Sequence, residues 1–339
     1  MVRAVPRRSR ARAAARRGAA PARHGARVRL GKALVTGATG FIGAALVRRL
    51  LAGGSDVVAT APARSAGWAR LSRLSPRQRL RRLPLDRLTR DALLEAVGDE
   101  PPGAVFHLAS AGVNPGERAP GVLLEGNVAA LVATLEAAAR WGGARVVFTG
   151  SCSEYSAVVE GQLVDEGAPR APSDLYGAAK AAAHDYGRAV AQALSVPLVT
   201  LRLFGVYGPG EAPHRLIPHL GARLRARERV DLTAGTQRRD LTFVEDVVEA
   251  LLLGATTAGI EPGAAYNVCS GRPTSVREVC LEVARQLGAP ESLLDFGARP
   301  PRAGEPPWLV GDPRRFQAAT SWSPRTPLSP GVAASLALA

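Results

Sequence analysis

From Ala33 onward, short apolar runs alternate with longer segments whose apolar positions recur at helical spacing. Ala33–Thr36, Asp56–Ala61, Arg82–Leu85, Ala104–Leu108, Arg145–Thr149 and Pro197–Leu201 read as strands. Phe41–Leu51, Asp91–Val97, a long segment from about Val122 to Trp141, and the Asp174–Leu194 region read as helices between them. Their alternation predicts an α/β chain with a parallel, doubly wound sheet. The pattern loosens after Gly208-Pro209-Gly210. Helices are expected there near Leu216–Ala226, Val244–Leu253 and Ser275–Leu287, among short strands and proline-rich loops. The expected division is a first domain over 31–208 and a smaller α/β lobe over 209–339, with some lobe segments returning to the first domain. From Pro300 the chain is rich in Pro, Arg and Trp and reads as largely irregular.

The first strand runs directly into three glycines spaced three apart, Gly37-Ala-Thr-Gly40-Phe-Ile-Gly43, and a helix follows. Gly37 permits the tight turn, Gly40 lets backbone approach a pyrophosphate, and Gly43 lets helix pack closely on strand. The phosphates would rest on the helix N-terminus, where free N–H groups and the dipole favour negative charge. In a chain with 36 glycines that spacing needs support from elsewhere. At the end of the second strand an acid would bind both ribose hydroxyls, whereas a nearby arginine suits a 2′-phosphate. Ala59-Thr60-Ala61-Pro62-Ala63-Arg64 offers no acid there, and Asp56 comes too early. Arg64 is therefore the candidate cofactor-reading cation, and NADP and NAD both stay open.

Charge changes the picture little. The net charge is +15, yet residues 1–30 alone hold ten arginines and no acidic residue. That Arg/Ala stretch lacks the apolar segment of a secretory signal and reads as a disordered extension. A basic arm, a transit-like sequence or translation begun upstream of the domain would share its composition. No nucleic-acid-binding motif follows it, so no nucleic-acid partner is expected. Cys152, Cys269 and Cys280 are too few and too scattered for a disulfide framework or a zinc ligand set, and no metal is expected. No apolar run reaches the roughly 18 residues of a membrane span; the expected compartment is the cytoplasm. Two long helices with apolar outer stripes suggest a homodimer seam, although burial within one chain would give the same pattern.

Only Lys32 and Lys180 are lysines, which makes Tyr176-Gly-Ala-Ala-Lys180 conspicuous. Spacing of four puts both side chains on one helix face. A phenol titrates near 10 and works poorly near neutrality unless a neighbouring ammonium and a cationic nicotinamide favour the phenolate. Lys180 could also hold the nicotinamide ribose. Ser151 lies just beyond the strand Arg145–Thr149, where its hydroxyl can hold the substrate oxygen that Tyr176 protonates or deprotonates. Ser153 is its nearest competitor.

Together the glycine turn, Ser151 and Tyr176-x-x-x-Lys180 resemble the extended short-chain dehydrogenase/reductases, the NAD-dependent epimerase/dehydratase family. Leu201-Arg-Leu-Phe204-Gly-Val-Tyr-Gly-Pro-Gly, Arg239-Asp-Leu-Thr-Phe-Val-Glu-Asp-Val, Tyr266-Asn-Val-Cys-Ser-Gly and Arg302-Ala-Gly-Glu305 extend the likeness, as do Gly311-Asp312 and Ser321-Trp-Ser-Pro. It covers about residues 31–332. The resemblance implies a Rossmann-like domain with a seventh strand and a C-terminal lobe that binds a nucleotide sugar. It places Phe41 and Ile42 against the pyrophosphate, Asp86 near the adenine, and Leu108, Ala109 and Ser110 along the cofactor. Asn127 would support the cofactor side, and Phe204 would lie near the nicotinamide. Arg239 and Arg302 would pair with the substrate diphosphate, a contact suited to arginine. Asp240, Glu245 and Asp246 are expected to organise their loop and helix.

Within that family the 4,6-dehydratases carry Thr-Asp-Glu where this chain has Ser151-Cys152-Ser153, counting back from Tyr155. Glu154 is one place late, and one step along an extended segment reverses the facing direction. Two reactions need only Ser, Tyr and Lys: reduction of a C4 ketone and inversion at C4. The missing acid and the Gly-Ser-x-x-Glu-Tyr arrangement favour NAD(P)H-dependent reduction of a nucleotide-linked 4-keto-6-deoxyhexose. The alternative is a nucleotide-sugar 4-epimerase with tightly bound NAD, although Gly205 stands where many members have Asn. A non-catalytic dinucleotide-binding scaffold is the third reading.

Overall fold

Short, fully buried strands set the frame of the molecule. The computed structural model describes residues 30–72, 74, 79–114, 116, 118–156, 159–301 and 304–337. The expected disordered extension over 1–30 lies outside them, Leu30 apart. In chain order the strands are β1 (Lys32–Thr36), β2 (Asp56–Ala61), β3 (Leu80–Pro84), β4 (Ala104–His107), β5 (Arg145–Ser151) and β6 (Leu198–Leu203). They continue with β7 (Gly205–Tyr207), β8 (Val230–Leu232), β9 (Arg238–Phe243), β10 (Ala265–Val268), β11 (Pro273–Ser275), β12 (Leu294–Phe296) and β13 (Trp308–Leu309).

Seven of these form one sheet in the order β10-β6-β5-β4-β1-β2-β3, with every neighbour parallel. Such a sheet is covered on both faces. Val35, Ala59 and Phe106 pack with Leu46 and Leu50 of the Phe41–Ala52 helix and with Val247 and Leu251 of the Val244–Thr256 helix. The alternate residues Leu34, Val105 and Phe148 pack with Leu93, Leu131, Leu135 and Ala183 on the other face. The chain leaves β1 toward β2 and β3, then returns to β4 on the opposite side. That reversal opens a crevice at the carboxyl ends of β1 and β4, where ligands of this architecture bind. The fold is a Rossmann-like doubly wound sheet.

The remaining strands build the smaller C-terminal lobe. β9 is flanked by β11, β13 and β7, while β8 and β12 make a separate parallel pair. The Leu216–Arg225, Val276–Leu287 and Leu328–Ala337 helices cover it. Leu336 lies so close to Gly221 that a Cβ there would stand 2.8 Å from it. The Val276–Leu287 helix is closed at both ends: Ser275 and Glu278 form a reciprocal capping box, and Gly288 ends it at φ +59°. β10 and the Val244–Thr256 helix return to the large sheet and its face.

Two expectations need correction. The stretch after Pro300 is not largely irregular, because it holds β13 and the Arg314–Thr320 and Leu328–Ala337 helices. Phe316 anchors the first helix between Tyr266 and Trp322, with ring centroids 5.8 and 5.6 Å away. Pro330 falls in the first turn of the second, where a missing N–H costs nothing. The long helix expected from about Val122 also changes type. It runs as Pro120–Leu123, a π-helical turn Leu124–Ala129, and Ala130–Arg140. Among the described residues it is the one helical run long and apolar enough to cross a bilayer, and half of that stretch is buried inside the fold.

Candidate active site

The crevice at the ends of β1, β4 and β5 deepens into a cavity of about 1180 Å³. Its floor is made by the backbone. Gly37 has φ +64°, and a Cβ on it would stand 2.7 Å from Leu108 O and Ala109 N. A Cβ on Gly43 would stand 2.2 Å from Gly37 O, so helix and turn touch directly. Thr36 Oγ1 accepts from Ala109 N at 3.2 Å and pins the end of β1 to the end of β4. Gly40 caps the Phe41–Ala52 helix without a side-chain bond, which leaves first-turn N–H groups for an anion. Gly37, Gly40, Phe41, Ile42 and Gly43 all line the cavity, with Leu108, Ala109 and Ser110 opposite. Asp86 also lines it, and its Oδ1 accepts from Ala63 N at 2.9 Å. The cradle that a Cβ would fill, the open helix end and the length of the cavity fit a dinucleotide.

Asn127 stands one layer behind. Fully buried in the π-helical turn, it accepts from Ser110 Oγ at 2.8 Å and donates to Leu123 O and Ala111 O. It therefore holds Ser110 against the cavity rather than lining it. Arg64 is exposed and lies outside the lining residues. Arg70, from the short Trp68–Ser72 helix, lines the cavity instead.

The catalytic candidates meet at the far end. Asp174 caps the Leu175–Ala193 helix by accepting from Gly177 N at 2.7 Å. A Cβ on Gly177 would stand 2.1 Å from Ser153 O, so this glycine lets the helix press against the turn that follows β5. Ser151, Tyr176 and Lys180 thereby share the cavity wall. Ser151 Oγ accepts from Ser153 N at 3.1 Å, which leaves its proton for a substrate oxygen. Ser153 also lines the cavity, but it serves here through its backbone. Lys180 Nζ donates to Thr149 O at 3.0 Å and stands 5.0 Å from the centroid of the Phe148 ring. Burial lowers its pKa to about 8, opposed by Glu154. Burial pushes the Tyr176 phenol up to about 12, with Cys152 adding to the rise and hydrogen bonding with Ser151 and Ser110 opposing it. The expected lowering by Lys180 is not found: desolvation of the phenol dominates, and the ammonium is held on Thr149 O.

Behind Ser151 lies a network that sequence reasoning missed. Glu154 Oε1 accepts from Ser151 N, and Oε2 from Arg202 Nε, both at 2.8 Å. Arg202 also donates to Tyr155 Oη at 2.9 Å, and Tyr155 donates to Asn267 Oδ1 at 2.7 Å. The Glu154 and Arg202 side chains are 0% and 2% exposed. Glu154 is therefore a brace for Ser151 and is not free to act as a base on substrate. Its signal in the sequence is the Ser-x-x-Glu capping box that closes the one-turn helix Cys152–Glu154. Cys152 lines the cavity, and burial raises its thiol to about 12, so it stays neutral.

On the lobe side Phe204, Gly205 and Arg239 line the same cavity. Arg239 pairs with Glu305 at 2.6 Å. Arg302 lies outside the described residues. Asp240 accepts from Ser270 N, Ser270 Oγ, Gly271 N and Gly311 N, and Asp246 Oδ2 accepts from Thr326 N. Both organise their loops. Two further lining residues had no motif to announce them. Arg118 pairs with Asp174 at 2.6 Å and lies 5.7 Å from the Tyr176 ring centroid. Glu211 is held on one oxygen by Arg215 Nε at 3.2 Å.

Comparison with known proteins agrees with this geometry. The NAD dependent epimerase/dehydratase family matches residues 33–269. The UDP-glucose 4-epimerase of Mycolicibacterium smegmatis is 30% identical over 89% of this chain and 96% of its own. The dTDP-6-deoxy-L-talose 4-dehydrogenase (NAD(P)(+)) of Kitasatospora kifunensis is 28% identical over 88% and 92%. The crystal structure of Thermus thermophilus UDP-glucose 4-epimerase in complex with NAD superimposes with a TM-score of 0.79 at 28% identity, covering 91% of this chain and 98% of that one. The chain belongs to the NAD-dependent epimerase/dehydratase family, the extended short-chain dehydrogenase/reductases, and is an NAD(P)-dependent enzyme.

Proposed function

We propose that the enzyme inverts the C4 configuration of a nucleotide-linked hexose and keeps its dinucleotide through the cycle. The observation that carries this reading is a Ser-Tyr-Lys site in which neither Cys152 nor Glu154 beside Ser151 is free for acid–base work, in a chain that matches a 4-epimerase along 96% of that relative's length. Dehydration needs a proton donor and a base beside the sugar. Cys152 is held neutral, and Glu154 is committed to Arg202 and Ser151 N. When bound, the dinucleotide supplies a hydride acceptor and donor at the sugar C4. The protein does the rest. Tyr176 takes the proton of the C4 hydroxyl and returns it, Ser151 donates a hydrogen bond to the same oxygen, and Lys180 holds the ribose. Arg239 is a lobe-side cation suited to a substrate diphosphate.

Net reduction of a 4-keto-6-deoxyhexose is the second reading. It is favoured by Ala61 at the end of β2 and by the likeness to the talose 4-dehydrogenase. Two incubations separate the readings: UDP- and dTDP-hexoses without added cofactor, and their 4-keto counterparts with added NAD(P)H. Inversion at C4 without net cofactor oxidation supports the epimerase. Stoichiometric oxidation of added NAD(P)H by a 4-keto sugar, without inversion of a 4-hydroxy sugar, overturns it in favour of the reductase.

The Pro120–Arg140 and Leu175–Ala193 helices also leave Val122, Leu124, Leu175 and Tyr186 more than half exposed. This supports a homodimer seam across both helices, which Tyr186→Glu should weaken in light scattering.

A further inference from the structure

The ribose end of the cavity is walled by Thr39, Ala61, Pro62 and Arg70. Ala61 is the last residue of β2, where a carboxylate would grip the ribose hydroxyls and repel a phosphate. Nothing at that position does either. Asp86, a carboxylate that also lines the cavity, accepts from Ala63 N.

The loop after β2 folds onto the glycine turn. A Cβ on Gly67 would stand 2.3 Å from Thr39 O, so only glycine allows this approach. Ser65 Oγ lies 2.8 Å from Thr39 Oγ1 and accepts from Gly67 N at 3.3 Å. One turn later Arg70 Nη1 donates to Thr39 O at 3.3 Å. That long bond uses one of the five N–H groups of a guanidinium, and among the described residues no carboxylate pairs with Arg70. A guanidinium with spare donors beside Thr39, whose hydroxyl is held by Ser65, matches a phosphate in charge and in hydrogen-bond direction.

We infer that Arg70, with Thr39, binds the 2′-phosphate of the adenosine ribose, so that this enzyme takes NADP(H) in preference to NAD(H). The inference rests on the reading that the cavity holds a nicotinamide dinucleotide. It applies to inversion and to reduction alike, because the 2′-phosphate lies at the end of the cofactor remote from the sugar. It moves the cofactor-selecting role from Arg64 to Arg70.

Fluorescence titration of the full chain, freed of any retained dinucleotide, with NADPH and NADH tests it without reference to turnover, with adenosine 2′,5′-bisphosphate and AMP as displacing probes. The wild type should bind NADPH at least tenfold more tightly than NADH and release it more readily to the bisphosphate. Arg70→Ala should weaken NADPH at least tenfold and NADH less than twofold. Arg70→Lys should recover part of the difference, and Arg64→Ala should change neither affinity by more than twofold. Equal or tighter NADH binding by the wild type overturns the inference. So does an equal loss of both cofactors in Arg70→Ala, or a preference abolished by Arg64→Ala. A wild-type chain that binds neither dinucleotide overturns the underlying cofactor reading, a failure distinct from binding with the wrong preference.

Discussion

The two ends of the cavity are built from different materials. The floor is backbone: Gly37, Gly40 and Gly43 bring turn, helix and the end of β4 within atomic contact, and everything needed lies within seven residues and one neighbouring strand. The wall that carries Ser151 is side chain. Its position depends on Glu154, Arg202, Tyr155 and Asn267, which come from three different strand ends and reach across separations of 47 to 112 residues. A steric requirement for no side chain has one answer, glycine, and leaves a short motif. A buried ion pair can be supplied from many places in the chain, so its members stand apart in sequence.

Substitutions at the two ends should fail in different ways. The largest effect is expected at the wall. Tyr176→Phe should lower turnover by roughly 10³-fold with dinucleotide affinity within about twofold; near-normal turnover would remove Tyr176 from the mechanism. Next comes the brace. Glu154→Ala leaves the Arg202 guanidinium buried and unpaired, and should cost roughly 3–5 kcal/mol in denaturant unfolding. A loss below 1 kcal/mol would show that the pair carries little of the wall's rigidity.

Lys180 gives a pH-resolved version of the same contrast. Burial lowers it from 10.5 to about 8. Between those values the unfolded chain holds a proton that the folded chain has released, so stability rises with pH across that window. Lys180→Met should therefore be more stable than wild type at pH 7, on the order of 3 kcal/mol, with the gap closing toward pH 10.5. Parallel melting curves across that range would contradict the buried ammonium. The smallest effect on stability should arise at the floor. Gly43→Ala forces helix from turn and should cost about 1–3 kcal/mol, yet abolish dinucleotide binding while circular dichroism stays native. Retained binding would mean that the turn can yield where the contact distances say it cannot.

The same division explains what could be read from the chain. β2 matches its expected bounds, and β1 and β4 differ by one residue at one end, because a strand covered on both faces must be apolar throughout. The shared cavity placement of Tyr176 and Lys180 was legible from helical spacing, and that of Ser151 from its position at the end of a buried strand. The helices after Pro300 were hidden because proline and arginine mask their sparse apolar anchors, Phe316, Val332 and Leu336. Arg70 was invisible for a different reason. In an arginine-rich chain only the fold of the Ser65–Gly67 loop onto Thr39 distinguishes it from Arg64.

The π-helical turn at Leu124–Ala129 bears on how this chain can change length. A π-turn holds one residue more than an α-turn, so the helix runs out of phase on its two sides. Deleting one residue between 124 and 129 would heal it into a continuous α-helix and swing the first turns by about 100°. The chain would still span the distance. Asn127 would nevertheless lose its grip on Ser110, and Gly126, whose added Cβ would now stand 2.6 Å from Ala111, would turn away from it. Such a deletion should leave a folded protein with full helix content and a cofactor site out of register, so the extra residue works as a spacer that cannot be trimmed.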